Sequence, residues 1–364
     1  MTSDESLISV LIPAFNAAAT IRETLASASD QSHSNLEIIV VDDGSSDTTA
    51  ELVADAAASD ARIQLIRQTN GGVASARNAA LKAAKGAWIA PLDADDLWHP
   101  SKLARQLSCA AANPDCQLVY CWSVDIDAQS QVIERRLQVY RFEGDVYEAL
   151  VLDNFLGNAS APLIRRSAVD GAGGWDTSLS QSNATGCEDW QLYLQLARTC
   201  RFALEPAFLV GYRQGDEAMS RNTSRMLRSY QMVMARERSA QPDIPRRFFR
   251  WSEARYRRYL AGLLMKKRQP FGAAAQIIQS LFRDPQEMLK RSAWSPMLRS
   301  LRGRKQHNPI ALQPFAMLDP DPTWFFPPDR LLIRRLSAIK SASAKCESIT
   351  KNTRAGTVES EAHD

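Results

Sequence analysis

The sequence predicts an α/β fold: a mostly parallel central sheet flanked by helices, followed by a mainly helical C-terminal extension. Three observations carry this prediction. Over the first 125 residues of the 364-residue chain, five short runs rich in Val, Ile and Leu alternate with Ala-rich stretches of helical spacing. Such alternation reads as βαβ units around a parallel sheet. The runs are nearly continuous in apolar residues, as expected of strands covered on both faces. Beyond about residue 221 the strand signal stops, and helical stretches broken by Pro242, Pro245, Pro270, Pro285, Pro296, Pro309 and Pro314 take over.

The elements follow in order. LISVLIP (7–13) is the first strand and runs into PAFN, with Pro13, Ala14 and Phe15 at its tip. AAATIRETLASAS (17–29) is the first helix, and LEIIVVD (36–42) the second strand. That strand ends in DDGSSD, where Gly44 permits a tight turn and Ser45, Ser46 or Asp47 can cap the helix TTAELVADAAAS (48–59). RIQLIRQ (62–68) is the third strand, and the helix VASARNAALKAA (73–84) carries Arg77 and Asn78. Between them Gly71 and Gly72 let the backbone approach a ligand closely. GAWIAPL (86–92) leads into LDADD, then a helix at 101–112 and a fifth strand, CQLVYCW (116–122). From about 126 the pattern is less regular. GAGGWD (171–176) is a turn, GCEDWQLYLQLA (186–197) a helix entered through two acids, and ALEPAFLVGYR (203–213) a last strand.

In such sheets ligands bind beyond the C-terminal strand ends. Four successive ends here are polar, acidic or Gly-bearing, which points to one shared pocket. Asp43 suits hydrogen-bond donors of a base or ribose, because an ionised carboxylate offers only acceptors. Read alone, its DDGS segment is equally a well-capped βα turn. Arg77 is either a surface helix residue or a cation that meets phosphates or orients a carboxylate. In Asp93-Ala94-Asp95 an extended segment would set two carboxylates on one side. That suits Mg2+ or Mn2+, which take oxygen ligands, commonly one or two carboxylates plus substrate phosphates. Asp96 is expected only to cap the following helix. Glu188 and Asp189 are favoured at a helix start by the macrodipole, but either could serve as a general base. The Gly-Gly pair satisfies neither GxGxxG nor GxxxxGK[ST], so hydride transfer and P-loop chemistry have little support.

Taken together, PAFN, DDGSSD, NGGVASARN, LDADD, GGWD and the ED of CEDW stand in the order of family 2 glycosyltransferases of the GT-A fold, which the chain resembles over roughly residues 7–230. Each motif alone is weak, and six in order are specific. The resemblance implies a GT-A catalytic domain, a nucleotide-sugar donor, a divalent metal (Mn2+ or Mg2+) and inversion at the anomeric carbon. It places Pro13, Ala14, Phe15, Asp43, Gly72, Arg77 and Asp93 on the nucleotide-sugar side. Asp95 is the expected metal ligand, with Asp93 in the ribose or metal shell. Asp189 matches the catalytic base, Glu188 is a supporting acid, and Trp175 and Asp176 shape the acceptor side. One departure stands out. Relatives carry a histidine after a Tyr-Arg pair, whereas YRQGDEAMS (212–220) has none, leaving Asp216 or Arg213 to take its role.

Composition limits the alternatives. With 45% hydrophobic and 23% charged residues the chain is ordinary for a soluble protein, and no run of 18 apolar residues suggests a membrane span. The N-terminus MTSDESLISV is acidic and is not expected to be a signal peptide. Six cysteines without zinc spacing are expected to be reduced thiols in a cytoplasmic protein. The net charge of +3 hides 19 Lys and Arg against 29 acids before residue 231, and 25 against 12 after it. The expected organisation is a catalytic domain over 1–230, a basic helical region over 231–340 and a disordered tail over 341–364. PRRFFRWSEARYRRYLAGLLMKKR (245–268), with nine Lys and Arg and one Glu, could lie on an anionic membrane or pack its aromatic face on the catalytic domain. No nucleic-acid motif accompanies the basic charge.

The expected activity is transfer of a sugar, from a UDP-sugar by preference, to a saccharide or lipid-linked acceptor in bacterial surface polysaccharide or glycolipid assembly. A non-catalytic nucleotide-sugar scaffold is the alternative. A sugar-phosphate nucleotidyltransferase would need a Gly-rich loop with Arg after the first strand, and PAFNAAAT offers none.

Overall fold

The computed structural model describes residues 6–135, 140–214, 222–288, 313–321 and 336. The βα alternation read from the sequence is present: β1 (Ile8–Ala14), α1 (Ile21–Ser29), β2 (Leu36–Asp42), α2 (Thr49–Ser59), β3 (Ile63–Arg67), α3 (Val73–Ala83) and β4 (Trp88–Pro91). Next come β5 (Leu97–Trp98), α4 (Lys102–Ala112), β6 (Cys116–Ile126), β7 (Val132–Arg135), α5 (Tyr147–Leu152), β8 (Leu163–Arg165), α6 (Arg166–Gly171) and α7 (Ser178–Gln181). The last are α8 (Glu188–Ala197), β9 (Arg201–Arg213), α9 (Thr223–Ala240), α10 (Arg246–Lys266), α11 (Pro270–Arg283) and α12 (Pro285–Met288).

The strands form one sheet in the order β3-β2-β1-β4-β8-β6-β9-β5, with β7 pairing β6. Strands β1 to β4 run parallel, and so do β6 and β9. The short β8 is antiparallel between β4 and β6, and β5 is antiparallel to β9. Every residue of β1 is buried, as expected of a strand apolar but for Ser9 and covered on both faces. Strand β9 keeps its length despite Pro206, because its register against β6 skips there, from Glu205 to Phe208. A proline has no N–H for the ladder, so a bulge is where a strand tolerates it.

The chain divides into one large unit, residues 1–136 and 141–323, and a small one, 137–140 and 324–364. Within the large unit α9 runs straight across residue 230, the expected domain boundary, and buries Met226, Tyr230, Val233 and Met234. α10 buries Phe248, Phe249, Tyr256 and Leu260. Tyr230 and Tyr256 stack at 4.3 Å, and Trp190 of α8 lies 5.6 and 5.9 Å from them. Buried Arg255 pairs with Asp153 at 2.6 Å. Of the two readings of 245–268, the structure therefore takes the one in which the aromatic face packs against the catalytic unit. The five cysteines among the described residues are free, while Cys346 and the whole of the expected tail lie outside them. No helix among the described residues is long and apolar enough to cross a membrane.

Candidate functional site

The C-terminal ends of β1 to β4 and the start of α8 bring the candidate residues together around Arg77. This guanidinium, 1% exposed, donates from Nη2 to Asp93 Oδ1 and from Nη1 to Asp189 Oδ1, both at 2.6 Å. It also lies 5.9 Å from the Trp175 ring centroid. Of the two readings of Arg77, the buried one that orients carboxylates is seen. Trp175 is buried, and its indole N–H donates to the same Asp189 oxygen at 3.2 Å. Asn78, next to Arg77 on α3, fixes Trp175 in turn. Its Oδ1 accepts from the Trp175 amide at 2.8 Å, and its Nδ2 donates to the Trp175 carbonyl at 2.7 Å. Gly174 makes room for this contact: it has φ +77°, and a Cβ there would stand 2.5 Å from Asn78 Oδ1.

Burial pushes the Asp189 carboxyl up to about 6 against the pull of Arg77, with Asp93 and Glu188 adding to the rise. A carboxyl with that affinity for protons is a better base near neutral pH than an ordinary aspartate. Its side chain is 24% exposed, so a ligand can reach it. Glu188 differs. It is buried, and its Oε2 accepts from the Gly186 amide at 2.7 Å, closing the loop into α8. It serves that loop and the helix start.

The crowded LDADD segment is a turn, not the extended piece expected, because the Asp96 amide closes on the Asp93 carbonyl at 3.1 Å. Three neighbours resolve the crowding differently for each acid. Asp93 has Arg77. Asp96 is fully buried and accepts from Ser160 Oγ at 2.6 Å and from the Arg213 amide at 3.0 Å. Burial and the neighbouring Asp95 and Asp93 charges raise its carboxyl well above the usual range. The expectation that Asp96 caps the next helix is thus corrected: β5 intervenes before α4, and Asp96 pins the turn to β9 instead. Arg213 completes the clamp. Its guanidinium donates to the Asp95 and Asp127 carbonyls at 2.7 and 2.8 Å and to Glu23 at 2.8 Å. It is spent on the protein, so its suggested reach to a diphosphate is not present; Asp216 lies outside the described residues.

Asp95 is the exception in the cluster. Among the described residues no other side chain hydrogen-bonds its carboxylate, and burial together with Asp93 raises it to about 6 against the pull of Arg213. A half-buried carboxylate with no bonded cation fits a divalent metal ion. No group of three or more His, Cys, Asp or Glu side chains that could hold a metal occurs among the described residues.

The nucleotide-side residues are less alike than expected. Phe15 is exposed at the tip of β1, with Pro13 and Ala14 buried behind it. Asp43 is buried, and both oxygens are engaged. Gln68 and the Gly71 amide donate to Oδ1 at 2.7 and 2.8 Å, and the Gly72 amide donates to Oδ2 at 2.8 Å. Asp43 therefore shapes the loop after β3, where Gly72 takes φ +85° at the start of α3. Asp176 is engaged within the protein. It accepts from the Ser178 amide at 2.8 Å and pairs with Arg236 of α9. Sequence reasoning missed Ser160 and the roles of Asn78 and Arg213. The only local signals were the Asn beside Arg77 and the Arg ending the last strand.

Residues 9–170 match the family model described as Glycosyl transferase family 2. Over these residues the chain is similar to family 2 glycosyltransferases. An Escherichia coli UDP-Glc:alpha-D-GlcNAc-diphosphoundecaprenol beta-1,3-glucosyltransferase, WfgD, is 42% identical over 111 residues, 30% of this chain and 43% of that protein. The uncharacterized glycosyltransferase EpsJ of Bacillus subtilis is 39% identical over 115 residues, 32% of this chain and 33% of that one. The chain thus spans less than half the length of these curated relatives. The mannosyltransferase PcManGT from Pyrobaculum calidifontis, solved with GDP-Man and Mn2+, superposes with a TM-score of 0.52 at 20% identity over 81% of this chain and 79% of that one. S. aureus TarS 1-349, solved with UDP-GlcNAc, gives 0.52 at 14% identity over 88% and 99%. The fold is that of GT-A glycosyltransferases.

Proposed function

We propose that the chain is an inverting glycosyltransferase. It moves a sugar from a nucleoside diphosphate donor, a UDP-sugar by preference, to a hydroxyl of a saccharide or lipid-linked acceptor in bacterial surface polysaccharide or glycolipid assembly. The observation that carries the reading is the Asp93–Arg77–Asp189 bridge. It sets a raised-pKa carboxyl, oriented by an indole N–H, beside the acidic turn at the end of β4. The relatives' lipid-linked and nucleotide-sugar substrates support the same reading.

In this mechanism the acceptor hydroxyl gives its proton to Asp189 as its oxygen attacks the anomeric carbon. The bond from that carbon to the diphosphate oxygen breaks on the opposite face, and the nucleoside diphosphate leaves. A single displacement inverts the configuration and needs no enzyme nucleophile. Arg77 and Trp175 hold the Asp189 carboxylate for proton transfer. Asp95, beside Asp93, would hold a divalent cation, which when bound supplies positive charge against the diphosphate. Phe15 and the Gly71–Gly72 loop line the nucleotide side. The protein works at the cytoplasmic side, where nucleotide sugars are made.

A donor screen tests the reading. UDP, GDP and dTDP release is measured with sugar nucleotides, acceptor and Mn2+ or Mg2+, then with chelator. Chelator-sensitive release from one nucleotide class is expected. Binding of nucleotide sugars with no release under any acceptor and metal would favour a scaffold instead.

A further inference from the structure

The geometry points to α11 as a docking face for an anionic lipid bilayer. The packing of α10 leaves its own aromatics unavailable for that purpose, but α11 presents a different ridge. Phe271, Ile278 and Phe282 are 91%, 53% and 73% exposed. Offsets of 7 and 11 residues put them on one side of the helix, because 3.6 residues make a turn. The opposite side is fixed against α10, where Ala273 is buried and Ser280 Oγ donates to the Ala254 carbonyl at 2.8 Å. The ridge therefore faces away from its own neighbour helix and cannot roll inward.

Charge identifies the occupant. Residues 246–283 hold ten Lys and Arg and a single acid, Glu253, which is already paired with Arg257 and Arg283. α11 itself carries no acidic residue. Lys266 and Arg268 are exposed just before the ridge begins, and exposed Arg250 reaches the Phe282 carbonyl at 3.5 Å where it ends. Aromatic and aliphatic side chains rimmed by cations suit insertion at the headgroup boundary of an anionic membrane. A second copy of the chain is a poorer occupant. A two-fold contact places the same patch on both sides, and here would set cation against cation. The consequence for function rests on the sugar-transfer reading. Docking through α11 would hold the attached α10–α9–α8 stack, and Asp189 with it, near a lipid-linked acceptor.

Flotation of the full chain with phosphatidylcholine vesicles, with and without phosphatidylglycerol, tests this. Wild type is expected to bind the phosphatidylglycerol vesicles and to lose binding in high salt. F271S/F282S should bind at least about 10-fold more weakly. K266Q/R268Q should lose about 5-fold per charge on anionic vesicles only. Thermal melts of both variants should match wild type, since all four side chains are in solvent. UDP binding measured in parallel should be unchanged, which separates failure of the docking face from failure of the sugar-transfer site. Equal vesicle binding by wild type and F271S/F282S, or no binding by wild type at low salt, would overturn the proposal. So would a concentration-dependent dimer, abolished by F271S/F282S, in the absence of vesicle binding.

Discussion

Arg77 holds two acids that both follow it in the chain, Asp93 sixteen residues on and Asp189 another ninety-six beyond it. Removing the buried guanidinium leaves both carboxylates without their cation. Arg77→Met should cost about 3–5 kcal/mol in chemical denaturation, because two acids then lose their cation. Asn78→Ala should cost about 1–3 kcal/mol, since both backbone groups of Trp175 lose their partner. It should also slow transfer while leaving donor affinity in place, because Trp175 would no longer hold Asp189 fixed. The pH dependence follows from the raised Asp189 carboxyl. The base works only when ionised, so with saturating metal and donor the rate should be level above an apparent pKa near 6. Below it the rate should fall about tenfold per pH unit. A pH profile of turnover reads this directly. The sequence names Arg77, Asp93, Asp95 and Asp189 as site residues. It does not show that Arg77 joins two of them, because nothing local records a contact spanning 112 positions.

At the scale of elements, β1 to β4 and their helices are legible because each is a period of apolar residues closed by a polar turn. α2 shows how local this logic is. Asp47, one of three candidate caps, accepts from the Thr49 amide at 3.0 Å within its own turn. β5 and β8 are not legible, since strands of two and three residues have no period to detect. The LDADD turn is misread as extended for a related reason. Its shape is set from outside, by Ser160 before β8 and Arg213 at the end of β9. Ser160 accepts from the Asp93 amide at 3.0 Å and donates to Asp96, so Ser160→Ala should leave two buried polar groups without a partner. A loss of about 1–3 kcal/mol is expected, with weaker metal-dependent donor binding by calorimetry.

Over the whole molecule, the basic second half is not a separable appendage. Arg236 pairs with Asp176, Glu237 of α9 pairs with Arg198 at 2.6 Å, and Arg255 pairs with Asp153. The Trp190–Tyr230–Tyr256 cluster joins α9 and α10 to α8, whose first turn carries Asp189. A chain ending at residue 230 should therefore be poorly soluble and lose a cooperative thermal transition, because it cuts α9 and uncovers that cluster. The charge asymmetry is visible in the sequence, but whether the halves dock or stand apart depends on pairings between distant residues.

The central claim is that Asp189 takes the acceptor's proton. It is tested most directly by comparing wild type with Asp189→Asn in a coupled transfer assay, with donor affinity measured by calorimetry on both. Asparagine keeps the shape and still accepts from Trp175, but it cannot take a proton. The account predicts donor affinity within a few-fold of wild type and transfer lower by about 10²–10⁴. Transfer by Asp189→Asn at the wild-type rate, with donor bound equally well, would contradict it.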